Sequence, residues 1–215
     1  MTNGHYDFES GELCLDFINT KDWRAGEHPV EALGDYDDLV VWGEAAGIVS
    51  PDRADSLRDL AYQRPVEAEQ TYEQAILLRE AIYRIFSDHY RRGSVHPADL
   101  QVLNTALGNS LTHLRVSLGL DGFNWEWSQE SEALGQVVWP IARSAADLLT
   151  SDRLERVREC EDDRGCGYLF VYTSRNRSRR WCSMDSCGNR AKAKRHYDRV
   201  NKSREDADIH LSEFS

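Results

Sequence analysis

No apolar run in this chain is long enough to cross a bilayer, and the opening "MTNGHYDFESGELCLDF" has no basic segment followed by an apolar stretch. Neither a spanning helix nor a secretory signal is expected, and the cytoplasm is the default location. Also missing are GxGxxG, the Walker GxxxxGK(S/T), GxSxG and HExxH. Dinucleotide binding, P-loop chemistry, the serine-hydrolase elbow and zincin chemistry are therefore without support, and the expectation is that the chain is not an enzyme. Its histidines show no metal-like pairing beyond the loose His89 and His96, which read as surface or helix-end residues. There is no internal repeat and no low-complexity tract. Cysteine is scarce through the first three quarters, where only Cys14 occurs, and basic residues are thin there too: residues 1–174 hold 15 basic against 31 acidic side chains.

What the first three quarters lack, the end supplies. Residues 175–204 carry 11 basic and 2 acidic residues, although the whole chain has a net charge of −11 and residues 205–215 add four acids. An asymmetry this sharp assigns the basic stretch to a polyanion and the rest to another task.

Hydropathy periods outline the acidic part. "GELCLDFINT" alternates Leu13, Leu15 and Phe17 and reads as a strand. Asp35 caps a helix from Tyr36 to about Gly47, and Ser50-Pro51 starts another. The longest helical pattern begins after Pro65, carries Tyr72, Ala75, Ile76, Ile82, Tyr83 and Phe86 on one side, and ends at Gly93; a short helix follows Pro97. Leu114, Val116, Leu118 and Leu120, then Asp121-Gly122, then Phe123, Trp125 and Trp127 predict a hairpin centred on the Asp-Gly pair. A last helical segment, 131–149, contains Pro140 and is expected to break there. The sum is an α+β domain over residues 1–150, helices packed on a small antiparallel sheet, then a charged connector at 151–159.

The remaining cysteines are spaced Cys160-x5-Cys166-x15-Cys182-x4-Cys187. In a reducing compartment four clustered thiols point to metal ligands, and Zn²⁺ wants such a soft tetrahedral set; paired disulfides and free buried thiols are the other readings. Between the pairs, "YLFVYT" reads as a strand, "SRNRS" as a turn and "RRWC" as the returning strand, while Ser183 or Asp185 caps a helix whose first turn holds Cys187. Knuckle, hairpin and ligand-bearing helix make a treble-clef-like finger over 160–203, with an acidic tail at 204–215. Loss of a ligand is expected to unfold the finger and leave the larger domain folded. Trp181 reads as the finger's miniature core, and Gly188 as a place where backbone amides approach a metal-bound sulfur.

This stretch, "CGYLFVYTSRNRSRRWCSMDSCGNRAKAKRHY", resembles the CGNR zinc finger, a bacterial module named for its Cys-Gly-Asn-Arg tetrapeptide; the likeness covers roughly residues 155–200. "LDFINT" at 15–20 is similar to the "LDFxNT" sequence of the ABATE domain that usually precedes this finger. The resemblance implies a stress-related transcription regulator.

Basic residues far exceed what a zinc–thiolate cluster needs nearby. On the predicted helix Lys192, Arg195, Arg199 and Lys202 share a face, Arg190 and Lys194 lie beside it, and Arg175, Arg177, Arg179 and Arg180 come from the hairpin. DNA is the expected partner of this surface, with charge pairing to an acidic domain, solvation, or a protein-interaction role without nucleic acid as alternatives. In the larger domain Asp16 and Asn19 sit among residues that should be buried, and with Trp23 and Arg24 they either fix backbone or line a pocket for a small-molecule effector. A homodimer is the remaining expected partner, by analogy with other regulators.

Overall fold

The computed structural model describes residues 6–120, 122–128, 132–172 and 179–212. Five helices carry the first 111 residues. They are α1 (Leu13–Ile18), α2 (Tyr36–Ala45), α3 (Pro51–Gln63), α4 (Pro65–Arg92) and α5 (Pro97–Leu111), with a two-residue ladder of β1 (Lys21–Asp22) and β2 (Val30–Glu31) after the first.

Starts and stops follow local chemistry. Asp35 accepts the Asp38 amide at 3.0 Å and Ser50 accepts that of Arg53 at 3.3 Å, so each caps its helix with a side-chain oxygen. Pro51, Pro65 and Pro97 each open a helix, where the missing N–H costs nothing. Gly47 and Gly93 close α2 and α4 in the left-handed region. α4 is the spine: Ala75, Leu78, Ile82, Ile85 and Phe86 are buried along one stripe, with Tyr72, Ile76 and Tyr83 packed at its margins.

The segment expected as the first strand is helical instead. Cys14, Leu15, Phe17 and Ile18 are all fully buried, and Phe17 packs on Trp42 with ring centroids 5.1 Å apart. A helix enclosed on every side needs no polar face, so the alternation of Leu13, Leu15 and Phe17 carried no information about period. Helices with small antiparallel sheets, as expected, make up the fold. Among the described residues the strands form three separate two-stranded antiparallel ladders, and the large core is helix on helix.

The second ladder joins β3 (Leu114–Gly119) to β4 (Gly122–Trp127), with Leu114 opposite Trp127 and Gly119 opposite Gly122. The connection is thus one residue earlier than expected: Gly122 stands in the strand at φ 117° and pairs across with Gly119, and Asp121 lies outside the described residues. Trp127 packs near Trp139, whose ring stacks on His113 at 4.0 Å, whereas Trp125 stays exposed. A 3₁₀ turn over 134–137 leads into α6 (Val138–Leu149), so the break precedes Pro140 and the ring falls in a first turn.

The expected connector is also structured. After a 3₁₀ turn, β5 (Val157–Glu159) pairs with β6 (Leu169–Val171), Val157 opposite Val171 and Glu159 opposite Leu169. Alternation splits this ladder between two cores: Val157, Leu169 and Val171 join the helical core, while Tyr168, Phe170 and Tyr172 cluster with the cysteines. The last helix, α7 (Asn189–Ser212), follows the cysteine region.

Candidate metal centre and nucleic-acid interface

β6 has neighbours on both edges. β5 occupies one; on the other the Asn19 amide acts as a strand substitute, its Nδ2 donating to Leu169 O at 2.9 Å and its Oδ1 accepting Leu169 N at 3.1 Å, and Ser10 O accepts Val171 N at 2.8 Å. Residues 179–182 therefore have no edge to join. The expected return strand "RRWC" is irregular, tied instead by a Glu161 N to Arg180 O hydrogen bond of 2.9 Å.

From β5 the chain passes Cys160, whose amide donates to Tyr168 O at 2.8 Å, and turns back through Glu161–Gly167. Gly165 (φ 89°) and Gly167 (φ 70°) flank Cys166 and permit that reversal. Cys182 follows Trp181, and its amide donates to Cys160 Sγ at 3.4 Å. Cys187 lies in a π turn over 184–188, capped by Ser183 Oγ, which accepts the Asp185 amide at 3.2 Å. Gly188 donates to Ser183 O at 2.9 Å and a Cβ there would meet Met184 Sδ at 2.8 Å, so glycine serves this turn rather than an amide-to-sulfur approach.

All four thiol sulfurs fall within 4.8 Å of one another. Cys166 and Cys182 are 3.7 Å apart and Cys182 and Cys187 3.5 Å. Tetrahedral ligation at a metal–sulfur distance of about 2.3 Å requires an edge of about 3.8 Å, so the donor set fits a four-coordinate soft metal. Protons alone serve this cluster poorly. Hydrogen bonds from Cys166 and Cys182 hold the Cys160 thiol far below the ordinary thiol range, the same bonding pushes Cys166 and Cys182 up, and burial raises Cys187. A divalent cation lets all four ionise.

Charges around the cluster are largely paired. Arg190 Nη2 donates to Cys187 Sγ at 2.9 Å, its Nε lies 3.7 Å from Asp162, and its guanidinium sits 4.9 Å over the Trp23 ring. Burial works against the Asp162 carboxylate, but hydrogen bonds from the Arg164 side chain and backbone prevail and hold it down at about 2. Arg180 pairs with Glu161, Lys194 with Asp163, and Arg179 donates to the carbonyls of Trp181 and Cys182 while lying 4.3 Å over Phe170. Arg179, Arg180, Arg190 and Lys194, all expected at a nucleic-acid surface, thus have partners inside the finger, and Arg195 Nε donates to Ala191 O at 3.2 Å on its own helix. The acid run "EDDR" directly after Cys160 was the sequence signal for that pairing. Lys192, Arg195 and Arg199 are exposed along α7 at spacings of three and four, one stripe. Lys202 lies further along the same helix, and Arg175 and Arg177 lie outside the described residues. Trp181 is half-buried beside the cysteines with Arg180 and Arg195 near its ring; fully buried Phe170 is the centre of the finger's core.

Of the candidate effector residues, Asp16, Asn19 and Trp23 line one cavity of about 330 Å³ between the helical core and the finger, together with Cys166, Cys182 and Cys187. Arg24 is elsewhere: it donates to Ile18 O and to Glu80 at 2.7 Å and stacks on Tyr83. Asn19 is committed to β6. Trp23, held at φ 53° with its amide on Asp22 Oδ1 at 2.8 Å, lies between Arg164 and Arg190. Tyr168, which lines the same cavity and whose buried hydroxyl has no hydrogen-bond partner among the described residues, escaped sequence reasoning because it sat within an apolar strand pattern.

Asp16 accepts the Ser10 amide at 3.1 Å, yet burial, reinforced by Asp7 and Glu12, pushes its carboxyl up to about 6. In the unfolded chain the group ionises at about pH 4, so stability falls as pH rises from about 4 to about 6 and then levels. Asp16→Asn keeps the acceptor for Ser10 without the charge. It is expected to exceed the parent by about 2 kcal/mol at about pH 7, the gap closing toward about pH 4. Urea unfolding of both metal-loaded proteins across this range checks it; a gap that does not change with pH refutes it.

Comparison with known families agrees with this geometry. The ABATE family model, described as "Putative stress-induced transcription regulator", matches residues 11–152, and the CGNR zinc finger model matches residues 156–200. No curated protein matches the chain. No helix among the described residues is long and apolar enough to cross a membrane. With most of its length under one family model and its tetracysteine metal-binding site under the other, the chain belongs to the ABATE family and carries a CGNR zinc finger.

Proposed function

We propose that this protein is a zinc-dependent, DNA-binding transcription regulator of the cytoplasm that acts by binding rather than catalysis. Cys160, Cys166, Cys182 and Cys187 would hold Zn²⁺, which cross-links the finger and, with four protein ligands, keeps no position open for a substrate. The observation that carries the reading is the exposed stripe Lys192, Arg195 and Arg199, which begins one turn beyond the last ligand, so that ligation sets the direction in which a basic helix leaves the molecule. Phosphates neutralised along that stripe release counterions, which makes affinity salt-dependent.

With about three phosphates engaged along that exposed stripe, log K against log salt should fall with a slope of about −3. Lys192→Ala should flatten that slope by about 0.9, and chelation of the metal should abolish binding. Fluorescence anisotropy of labelled genomic fragments, titrated at several salt concentrations, measures all three. No binding to any DNA at the lowest salt overturns the reading.

The cavity lined by Asp16, Trp23 and Tyr168 is the proposed effector site, since a molecule seated there touches the helical domain and the finger together. Equilibrium dialysis of the loaded protein against metabolite mixtures that retains nothing removes this part. A protein-interaction role for the finger is the second reading, favoured by its cations pairing with carboxylates at Arg180–Glu161 and Lys194–Asp163; it gains if DNA binding fails while a partner protein is retained.

A further inference from the structure

The β3–β4 hairpin is amphipathic, and its apolar face is only half covered. Cross-strand pairs Leu114–Trp127, Val116–Trp125 and Leu118–Phe123 point to one side, and Arg115–Glu126 and Ser117–Asn124 to the other. At the base of the hairpin, Trp127 reaches Trp139 of α6, and Arg143 lies 4.9 Å over one face of Trp125. Beyond that the ribbon overhangs: Val116, Leu118 (76 % exposed), Leu120, Phe123 (79 %) and Trp125 (62 %) stand in water. A lone two-stranded ribbon is marginal, and these side chains are the residues that would stabilise it if they were covered.

We propose that this face is the contact between two copies of the chain, packed apolar face to apolar face about a two-fold axis. Three observations select a second copy. The first is area. The exposed Val116, Leu118, Phe123 and Trp125 leave on the order of 550 Å² of surface, at the upper end of the largest patch of a typical monomer, and with Leu120 at the tip approach the roughly 800 Å² per partner of a standard interface. The second is charge. A chain of net charge −11 repels its own copy over most of its surface, but the charged residues of the two hairpin strands, Arg115 and Glu126, lie 3.5 Å apart on the opposite face, and Asp121 belongs to the connection at the tip, so the paired strands of two copies meet here without opposing like charges. The one cation placed beside that face among the described residues, Arg143 over Trp125, is already paired with Asp147 at 3.4 Å. The third is the scarcity of an internal cover: residues 1–5, 121, 129–131, 173–178 and 213–215, which lie outside the described structure, contain only Met1 and Phe214 as large apolar residues, and the undescribed side chains of α7 add only Val200, Ile209 and Leu211.

Sedimentation equilibrium of the full metal-loaded chain over about a hundredfold concentration range tests this independently of whether the finger binds DNA. The parent protein is expected to approach twice the chain mass as concentration rises. Phe123→Glu with Trp125→Glu should weaken association at least about a hundredfold, with far-UV circular dichroism and metal content unchanged, because charge at two central aromatic anchors removes the interface. Leu118→Lys should act in the same direction, and Arg115→Ala, on the opposite face, should leave the association as it is. A parent that stays monomeric at every concentration overturns the proposal. So does a dimer that survives the double substitution, or a monomer that floats with phosphatidylcholine vesicles, which would assign the face to a lipid surface.

Discussion

Cys182→Ser is expected to empty the metal site and to lower the stability of the whole chain, not of the finger alone. Cys182 is central to the cluster: its sulfur is 3.7 Å from that of Cys166 and 3.5 Å from that of Cys187, and its amide donates to Cys160 Sγ. A hydroxyl is a poor ligand in a thiolate set, so roughly 10 to 16 kcal/mol of ligation energy is at stake, which exceeds the stability of most domains. From the sequence, an autonomous finger should melt and leave the helices intact. The β5–β6 ladder argues otherwise, since Val157, Leu169 and Val171 on its inner face belong to the helical core and Asn19 is bonded to its outer edge. When the finger side of that wall loses its cross-link, the helical side loses part of its lid. Metal analysis should find none bound, and calorimetry should show a single transition with a midpoint lower by on the order of 10 °C or more, at a few degrees per kcal/mol for a chain of this size. Retained metal refutes the ligand assignment. A separate transition at the parental temperature refutes the coupling.

Why that coupling was invisible in the sequence is a matter of range. Helix starts at Asp35, Ser50, Pro65 and Pro97 are decided by neighbours within four residues, and each was legible; so were the cysteine cluster and the hairpin, whose signals are spacing and period. Elements decided by what surrounds them were not. α1 is apolar except for Asp16 because it is enclosed, and so short an apolar run looks the same as a strand or a helix. Asn19 is polar within that run because it completes the edge of a strand 150 residues away, a pairing no local pattern announces. The same edge, once filled, excluded "RRWC" from the ladder. The basic count at the end of the chain overstated the surface available to a polyanion, since Glu161, Asp162 and Asp163 fold back onto Arg180, Arg190 and Lys194. Charge summed along a segment says nothing about which charges meet.

The same long-range logic yields the second large effect, at Gly165. This residue sits in the knuckle beside Cys166 at φ 89°, its carbonyl accepts the Ala25 amide at 3.1 Å, and a Cβ built on it would lie 2.5 Å from the Gly26 nitrogen and press on the Ala25 carbonyl. Those neighbours are backbone, so no side chain can swing aside. Gly165→Ala therefore combines a left-handed conformation, costing roughly 1 to 2 kcal/mol, with overpacking worth about 1 to 3 kcal/mol more. The ligands themselves are untouched, so the variant should still take up metal in equal proportion while the knuckle parts from the loop at Ala25-Gly26. Loss of about 3 kcal/mol should appear in chemical unfolding, and trypsin should cleave faster at Arg164, whose side chain otherwise stacks 5.4 Å from Trp23. Gly167→Ala, whose Cβ would meet Arg24 Cβ and Tyr83 Oη at 3.2 Å, tests the same junction from the other side of Cys166 and should be destabilised in the same sense. If Gly165→Ala unfolds within about 1 kcal/mol of the parent, the finger is held to the helical domain by something other than this backbone contact. If the loss is found with metal retained, the junction and the metal centre are separate determinants of one arrangement, and a molecule entering the cavity beside Trp23 has a mechanical route to the direction of α7.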